Sequence, residues 1–197
     1  MTITINGNGT VTGISAGGLP DGCIQEADIG ADVNTIKEVD MWQVTTDFVS
    51  SDTYVASNWS RSDSVSSGSY QTYGRIGTGM TESSGTFTFP STGIWEVKMT
   101  AACYKNTGPV RWFGGHVMTT KDNSNYTAAS ASYNNTHADS VYHTYGYSRS
   151  ITLFDVTNTS THKVKFKVTA ESATNWLGDD GNGLPYTYVI FTRLGAT

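Results

Sequence analysis

Residues 85–103 read Gly85-Thr86-Phe87-Thr88-Phe89-Pro90-Ser91-Thr92-Gly93-Ile94-Trp95-Glu96-Val97-Lys98-Met99-Thr100-Ala101-Ala102-Cys103. From Gly93 onward, Trp95, Val97, Met99, Ala101 and Cys103 share one side of an extended chain, while Glu96, Lys98 and Thr100 share the other. That period of two marks a strand with one face in a core. The Pro90-Ser91-Thr92-Gly93 cluster ahead of it is turn material, so the stretch reads as strand, turn, strand.

The same punctuation runs outward from this stretch. From Val39 on, short β-type runs are separated by Glu82-Ser83-Ser84-Gly85, Lys105-Asn106-Thr107-Gly108-Pro109 and Gly178-Asp179-Asp180-Gly181-Asn182-Gly183, which predicts an all-β sandwich or barrel. In Lys163-Val164-Lys165-Phe166-Lys167-Val168, three lysines alternate with three apolar residues, so one face is core and the lysine face meets water. The last run, Leu184 to Leu194, differs. Tyr188, Ile190 and Leu194 lie on one side and Val189 and Phe191 on the other. A strand apolar on both sides needs two covers, and the second is expected from another copy of the chain. Tyr188, Ile190, Val189 and Phe191 are therefore the candidate self-association residues. The Ser/Asn/Tyr-rich stretches Asn58 to Tyr73 and Asp122 to Tyr147 show little alternation and read as long recognition loops.

A chain of 197 residues suits one well-buried domain with an appended arm. Its first twenty residues carry no charge and are punctuated by glycines, with Ile3, Ile5, Val11, Ile14 and Leu19 as sparse apolar pegs. Too few to form a core, they predict an arm that takes its order from a neighbour. The expected organisation is an arm and linker over 1–38 and a β domain over 39–197. Asp28 to Val39 is the one segment compatible with a short helical turn. With 15% charged residues and a net charge of −5, the chain has no basic patch for nucleic acid. It has no basic leader and no bilayer-length apolar run, so synthesis without an export signal and no membrane insertion are expected. Cys23 and Cys103 lie in unlike contexts and read as free thiols.

Reactive chemistry finds little support. Gly13-Ile14-Ser15-Ala16-Gly17 matches the G-x-S-x-G pattern, but the following Gly18-Leu19-Pro20 does not open the helix that a nucleophile elbow requires. His137 and His143, with Asp139 between them, lack a recognised metal-ligand spacing. Asp179-Asp180-Gly181-Asn182-Gly183 lacks the alternating acids and distant glutamate of a calcium loop. No catalytic residue, cofactor or metal site is assigned. Tyr126, Tyr133, Tyr142 and Tyr145, set among Ser and Asn, form the candidate contact surface for carbohydrate or protein.

Gly85 to Trp95 resembles the centre of the jelly-roll domain shared by tumour-necrosis-factor-like (TNF-like) proteins and complement globular heads, where a G-x-F-x-x-P-x-x-G run joins two strands through a tight turn. The closing Tyr188 to Leu194 resembles that family's final strand. This resemblance implies a ten-strand, two-sheet jelly roll that trimerises through its apolar inner sheet. The N-terminal Thr2 to Gly22, ending in Gly17-Gly18-Leu19-Pro20-Asp21-Gly22, is similar to segments of bacteriophage tail and capsid-attached fibres. It implies a virion protein, made in the host cytoplasm, whose arm docks on capsid or tail proteins and whose tyrosine-bearing loops face a host surface glycan or protein. The alternative is a free lectin-like carbohydrate- or protein-binding module.

Overall fold

The structure is a computed structural model that describes residues 36–61, 75–179 and 184–197, together with the backbone of two short strands near the N-terminus. The chain divides into two compact units, Met1–Thr35 and Ile36–Thr197. In the first, β1 (Thr4–Ile5) and β2 (Val11–Thr12) pair antiparallel, Ile5 opposite Val11. The other arm residues singled out above, Ile3, Ile14 and Leu19, lie outside the described residues, as do Ser15 and Cys23. So does most of the expected helical turn; residues 36–38 run without regular structure into the first strand of the second unit.

That second unit is all-β. Its strands are β3 (Val39–Val44), β4 (Phe48–Tyr54), β5 (Trp59–Arg61), β6 (Thr81–Ser83), β7 (Thr86–Thr88), β8 (Gly93–Lys105), β9 (Val110–Thr120), β10 (Thr127–Thr136), β11 (Thr144–Val156), β12 (Lys163–Trp176) and β13 (Tyr188–Gly195). Every pairing is antiparallel, and two layers result. The first sheet runs β5-β3-β13-β8-β11. The second runs β10-β9-β12, with β7 on the start of β12, β4 on its remainder and β6 beyond β7. The layers join where Asn175 and Trp176 of β12 meet Tyr104 and Cys103 of β8. Among the described residues of this unit eleven strands stand where the resemblance implied ten, one long β12 being flanked in turn by short β7 and β4.

Local chemistry explains the stretch from Gly85 to Trp95. Ser84 and Gly85 both have positive φ, 51° and 76°, as a tight β6–β7 hairpin demands. Gly93 opens β8 with φ 142°, and a Cβ there would stand 2.4 Å from the Gly195 carbonyl oxygen. No larger residue fits without moving the end of β13. After the turn, Trp95, Val97, Met99, Ala101 and Cys103 enter the core as the alternation required, each at most 1% exposed.

Aromatic rings fill the space between the sheets. Phe191 of β13 lies 5.3 Å from Phe87 of β7 and 5.9 Å from Phe166 of β12, centroid to centroid, so one residue ties three strands of both layers. Trp42 and Trp59 meet Phe87 edge-on. At one margin Asp40, 1% exposed, accepts from Met80 N at 2.7 Å, Trp42 Nε1 at 2.8 Å and Arg61 Nε at 3.0 Å. A buried carboxylate needs such partners, so these bonds hold residues 79–80 to β3 and β5.

Two expectations need correction. The long loop expected over Asp122 to Tyr147 contains β10 and the start of β11; only residues 137–143 connect them. The lysines of β12 do not all face water. Lys163 is buried, its Nζ donating to Thr88 Oγ1 at 3.0 Å and to the Thr159 carbonyl at 2.7 Å, and desolvation lowers its pKa. Of the other stretch read as a loop, Trp59–Arg61 is strand β5 and residues 62–73 lie outside the described residues.

Candidate functional site

Strand β11 forms one edge of the first sheet, and over residues 144–152 its polarity is reversed, although Phe154 and Val156 at its end enter the core and Arg149 and Asp155 share the outward face. Its inward residues include Thr144, Gly146, Ser148, Ser150 and Thr152, whereas Tyr145, Tyr147, Ile151 and Leu153 point outward and are 66%, 53%, 55% and 63% exposed. Two of the inward hydroxyls are held by β9: Gly115 N donates to Ser148 Oγ at 2.8 Å, and Ser150 Oγ donates to the Gly115 carbonyl at 2.6 Å. Small polar residues inside let β11 close against β9, and the apolar side chains face out.

Register extends this apolar face across the sheet. Ile151 lies opposite Lys98 of β8, and Lys98 opposite Ile190 of β13, so two isoleucines flank one lysine. Lys98 leans toward Glu96, Nζ to Oε2 2.7 Å, and the Arg149 guanidinium sits 4.9 Å from the Tyr147 ring centroid. A groove of about 310 Å³ runs between Lys98, Arg149, Ile151, Tyr188 and Ile190. A larger one of about 600 Å³ lies nearby, lined by Ala102, Cys103, Tyr145, Tyr147, Leu177 and Tyr186. Beneath it, burial pushes the Cys103 thiol up to about 12, which leaves the sulfur protonated and unreactive.

The residues predicted from β13 therefore separate. Tyr188 and Ile190 belong to the outward face. Val189 and Phe191 are fully buried between the sheets and keep no surface for a subunit contact. Burial inside the sandwich is the physical reason that the candidate set narrows to the first two.

The four tyrosines separate as well. Tyr145 is on the first sheet's outward face, Tyr133 on β10 of the second sheet, and Tyr142 in the 137–143 connection. Tyr126 precedes β10 under the Lys165 ammonium, 4.5 Å from ring centroid to Nζ. They do not compose one surface. Within the 137–143 connection, Asp139 accepts from the backbone N–H groups of Val141 and Tyr142, both at 2.7 Å, which holds its pKa down. His143 stacks on Tyr104 at 5.0 Å. Among the described residues, no group of three or more His, Cys, Asp and Glu side chains is placed to hold a metal ion.

Sequence reasoning placed Tyr147 in a tyrosine-rich recognition stretch but missed Ile151, Leu153 and Trp112. Tyr147, Ile151 and Leu153 were legible as alternation in Tyr145-Gly146-Tyr147-Ser148-Arg149-Ser150-Ile151-Thr152-Leu153. Trp112 of β9 is 41% exposed and meets Tyr133 edge to face, 6.1 Å between centroids.

No protein-family model matches the chain, and no curated protein matches it. Solved structures do. Murine APRIL at pH 5.0 aligns with TM-score 0.55 and 14% identity over 80% of this chain and 98% of its own. Eiger TNF from S. frugiperda aligns with TM-score 0.58 and 9% identity over 83% of this chain and 96% of its own. Identities this low speak to fold alone: the second unit is a TNF-like jelly roll, a fold compatible with a non-enzymatic binding or structural module.

Proposed function

We propose that this chain is a non-enzymatic structural protein of a bacteriophage particle. It assembles as a homotrimer, docks on capsid or tail through its N-terminal arm, and presents the jelly roll outward as a short fibre knob or decoration. One observation carries the self-association: β11 turns Tyr145, Tyr147, Ile151 and Leu153 outward and Ser148 and Ser150 inward. Phe154 and Val156 set the register of β11 by entering the core, so a protomer standing alone leaves these four large side chains in water at a hydrophobic cost. The arrangement becomes favourable once a second copy covers Ile151, Leu153, Tyr188 and Ile190, and closed symmetry is the common way to do so.

Support for the particle comes from the N-terminal resemblance to phage fibre segments. Docking by three arms at once raises apparent affinity without new kinds of contact. The test has two stages. Sedimentation velocity should give three times the 21.2 kDa protomer mass; a monomer overturns the trimer. Gold-labelled antibody against the chain should decorate purified virions, and deletion of Met1 to Gly22 should abolish incorporation. Undiminished incorporation of the deleted chain overturns the docking arm.

A further inference from the structure

We infer that the outward face of the second sheet carries a binding site for a neutral pyranose saccharide, centred on Trp112 and Tyr133. This site is separate from the self-association face and does not depend on how the chain assembles.

Register across four strands defines it. One row reads Tyr133 of β10, Gly114 of β9, Thr169 of β12 and Asp52 of β4; the next reads Ala131, His116, Lys167 and Tyr54. At Gly114 the Tyr133 ring lies down against the strand: an added Cβ would stand 2.8 Å from Tyr133 Cδ1 and 2.4 Å from the Ser132 carbonyl oxygen. The ring's free side remains open, and Tyr133 is 58% exposed. Trp112 meets it at 80° and His116 at 88°, with centroids 6.1 and 5.5 Å away. The result is a corner with Tyr133 as floor and two rings standing beside it.

Hydrogen-bonding groups surround that corner in fixed positions. His116 Nε2 and Thr169 Oγ1 are 2.9 Å apart, and Lys167 Nζ lies 2.7 Å from Asp52 Oδ1. Glu171 accepts from Arg111 N at 2.8 Å and also pairs with the Arg111 guanidinium, bonds that hold its carboxyl below the usual range and keep it ionised. Burial, reinforced by Lys167, holds the His116 imidazole toward its neutral form.

A pyranose is complementary to this arrangement. Its C–H face is apolar and flat enough to lie on an aromatic ring, and its equatorial hydroxyls both donate and accept at the rim. Oriented carboxylates and ammonium groups satisfy such hydroxyls with charge-assisted bonds. Acids and bases here neutralise one another, so the site matches an uncharged sugar. The first sheet's outward face is richer in aliphatic surface, with Ile151, Leu153 and Ile190 around the Lys98–Glu96 pair. Protein fits that face; sugar fits this one.

The test uses the full chain and hexaoses of β1,4-glucose, α1,4-glucose, β1,4-mannose and β1,4-galactose, titrated against tryptophan fluorescence. At least one hexaose should shift the emission saturably. Trp112→Ala should weaken its binding about tenfold or more, as expected for an exposed aromatic anchor, and Trp112→Phe should restore part of it. Gly114→Ala should weaken it by pushing β10 away at the Ser132 carbonyl and carrying the Tyr133 ring with it, whereas Tyr145→Ala should leave it unchanged. Circular dichroism and sedimentation on each variant separate lost binding from lost fold or assembly. Absence of binding to all four hexaoses, or binding undiminished in folded Trp112→Ala, overturns the proposal.

Discussion

The two sheets of this sandwich share one core but turn contrasting faces outward. On the second sheet, charged and hydrogen-bonded pairs such as Lys167 with Asp52 and Arg111 with Glu171 surround two aromatic rings. On the first, Tyr145, Tyr147, Ile151 and Leu153 stand exposed along one strand while hydroxyls occupy the inside. A solvated antiparallel sheet normally alternates as the second one does. On β11, Tyr145, Tyr147, Ile151 and Leu153 stay outside although Phe154 and Val156 of the same strand enter the core, and this exposed row is the surface that the proposed self-association would cover.

The largest effect should come from crossing that divide on a single strand. Phe191 and Ile190 are neighbours on β13 with opposite orientations. Phe191→Ala removes a ring that contacts Phe87 and Phe166 across the core and should cost about 3–5 kcal/mol, read by urea denaturation. Ile190→Ala opens no core cavity and should cost the protomer about 1 kcal/mol or less. Equal losses at the two positions would break the distinction between the faces.

Association should respond in the reverse order. Replacing Ile151 and Leu153 together with Asp places two charges on the apolar face beside Lys98 and Glu96, their β8 partners. The dissociation constant should rise by roughly a hundredfold or more, because the apolar contact is lost and the carboxylate at position 153, opposite the like-charged Glu96, would be left unpaired in an interface at a cost of several kcal/mol. Sedimentation velocity would then report the protomer mass with the β spectrum intact. Lys165→Asp, on the second sheet, should leave the assembled mass unchanged. A mass insensitive to the double substitution would remove the reason for treating the first sheet as an interface.

These faces were not equally legible in the sequence. Gly93 to Cys103 was readable because Trp95, Val97, Met99 and Ala101 alternate with Glu96, Lys98 and Thr100, and β8 carries one face in the core. The turn ahead of it was readable from Pro90 and Gly93. Val189 and Phe191 could not be told from Tyr188 and Ile190, since both sides of β13 are apolar; pairing with Met99 and Val97 of β8 decides which side is inside. β10 was hidden because Ala128 to Ser132 lies at a largely exposed sheet edge and has little hydrophobic contrast. At Trp112 the period of two breaks: Arg111 and Trp112 are both exposed, next to a register shift between Asn134 and Thr136. An irregularity of that kind re-aims a side chain without leaving a pattern to read.

A last prediction asks which side of β8 Cys103 occupies, directly under the larger groove of the first sheet. The structure turns its sulfur inward, fully buried, with the thiol raised from 9.0 to about 12 by desolvation. At pH 8 its thiolate is then scarcer than that of a free cysteine by roughly a thousandfold, and iodoacetamide labelling of the Cys103 peptide should slow at least that much relative to urea-unfolded protein. The linked stability has a definite sign. Between pH 9 and about 12 the unfolded chain gives up this proton while the folded chain keeps it, so stability falls as pH rises, by about 1.4 kcal/mol per unit once the unfolded thiol is ionised. Tyrosines and lysines titrate over the same range, so the comparison is with Cys103→Ala, whose alkaline slope should be shallower by that amount. Rapid native labelling at pH 8, with the sedimented mass unchanged, would place the sulfur on the outward side. The larger groove would then have a reactive thiol in its floor, and the boundary between core and interface on β8 would have to be redrawn.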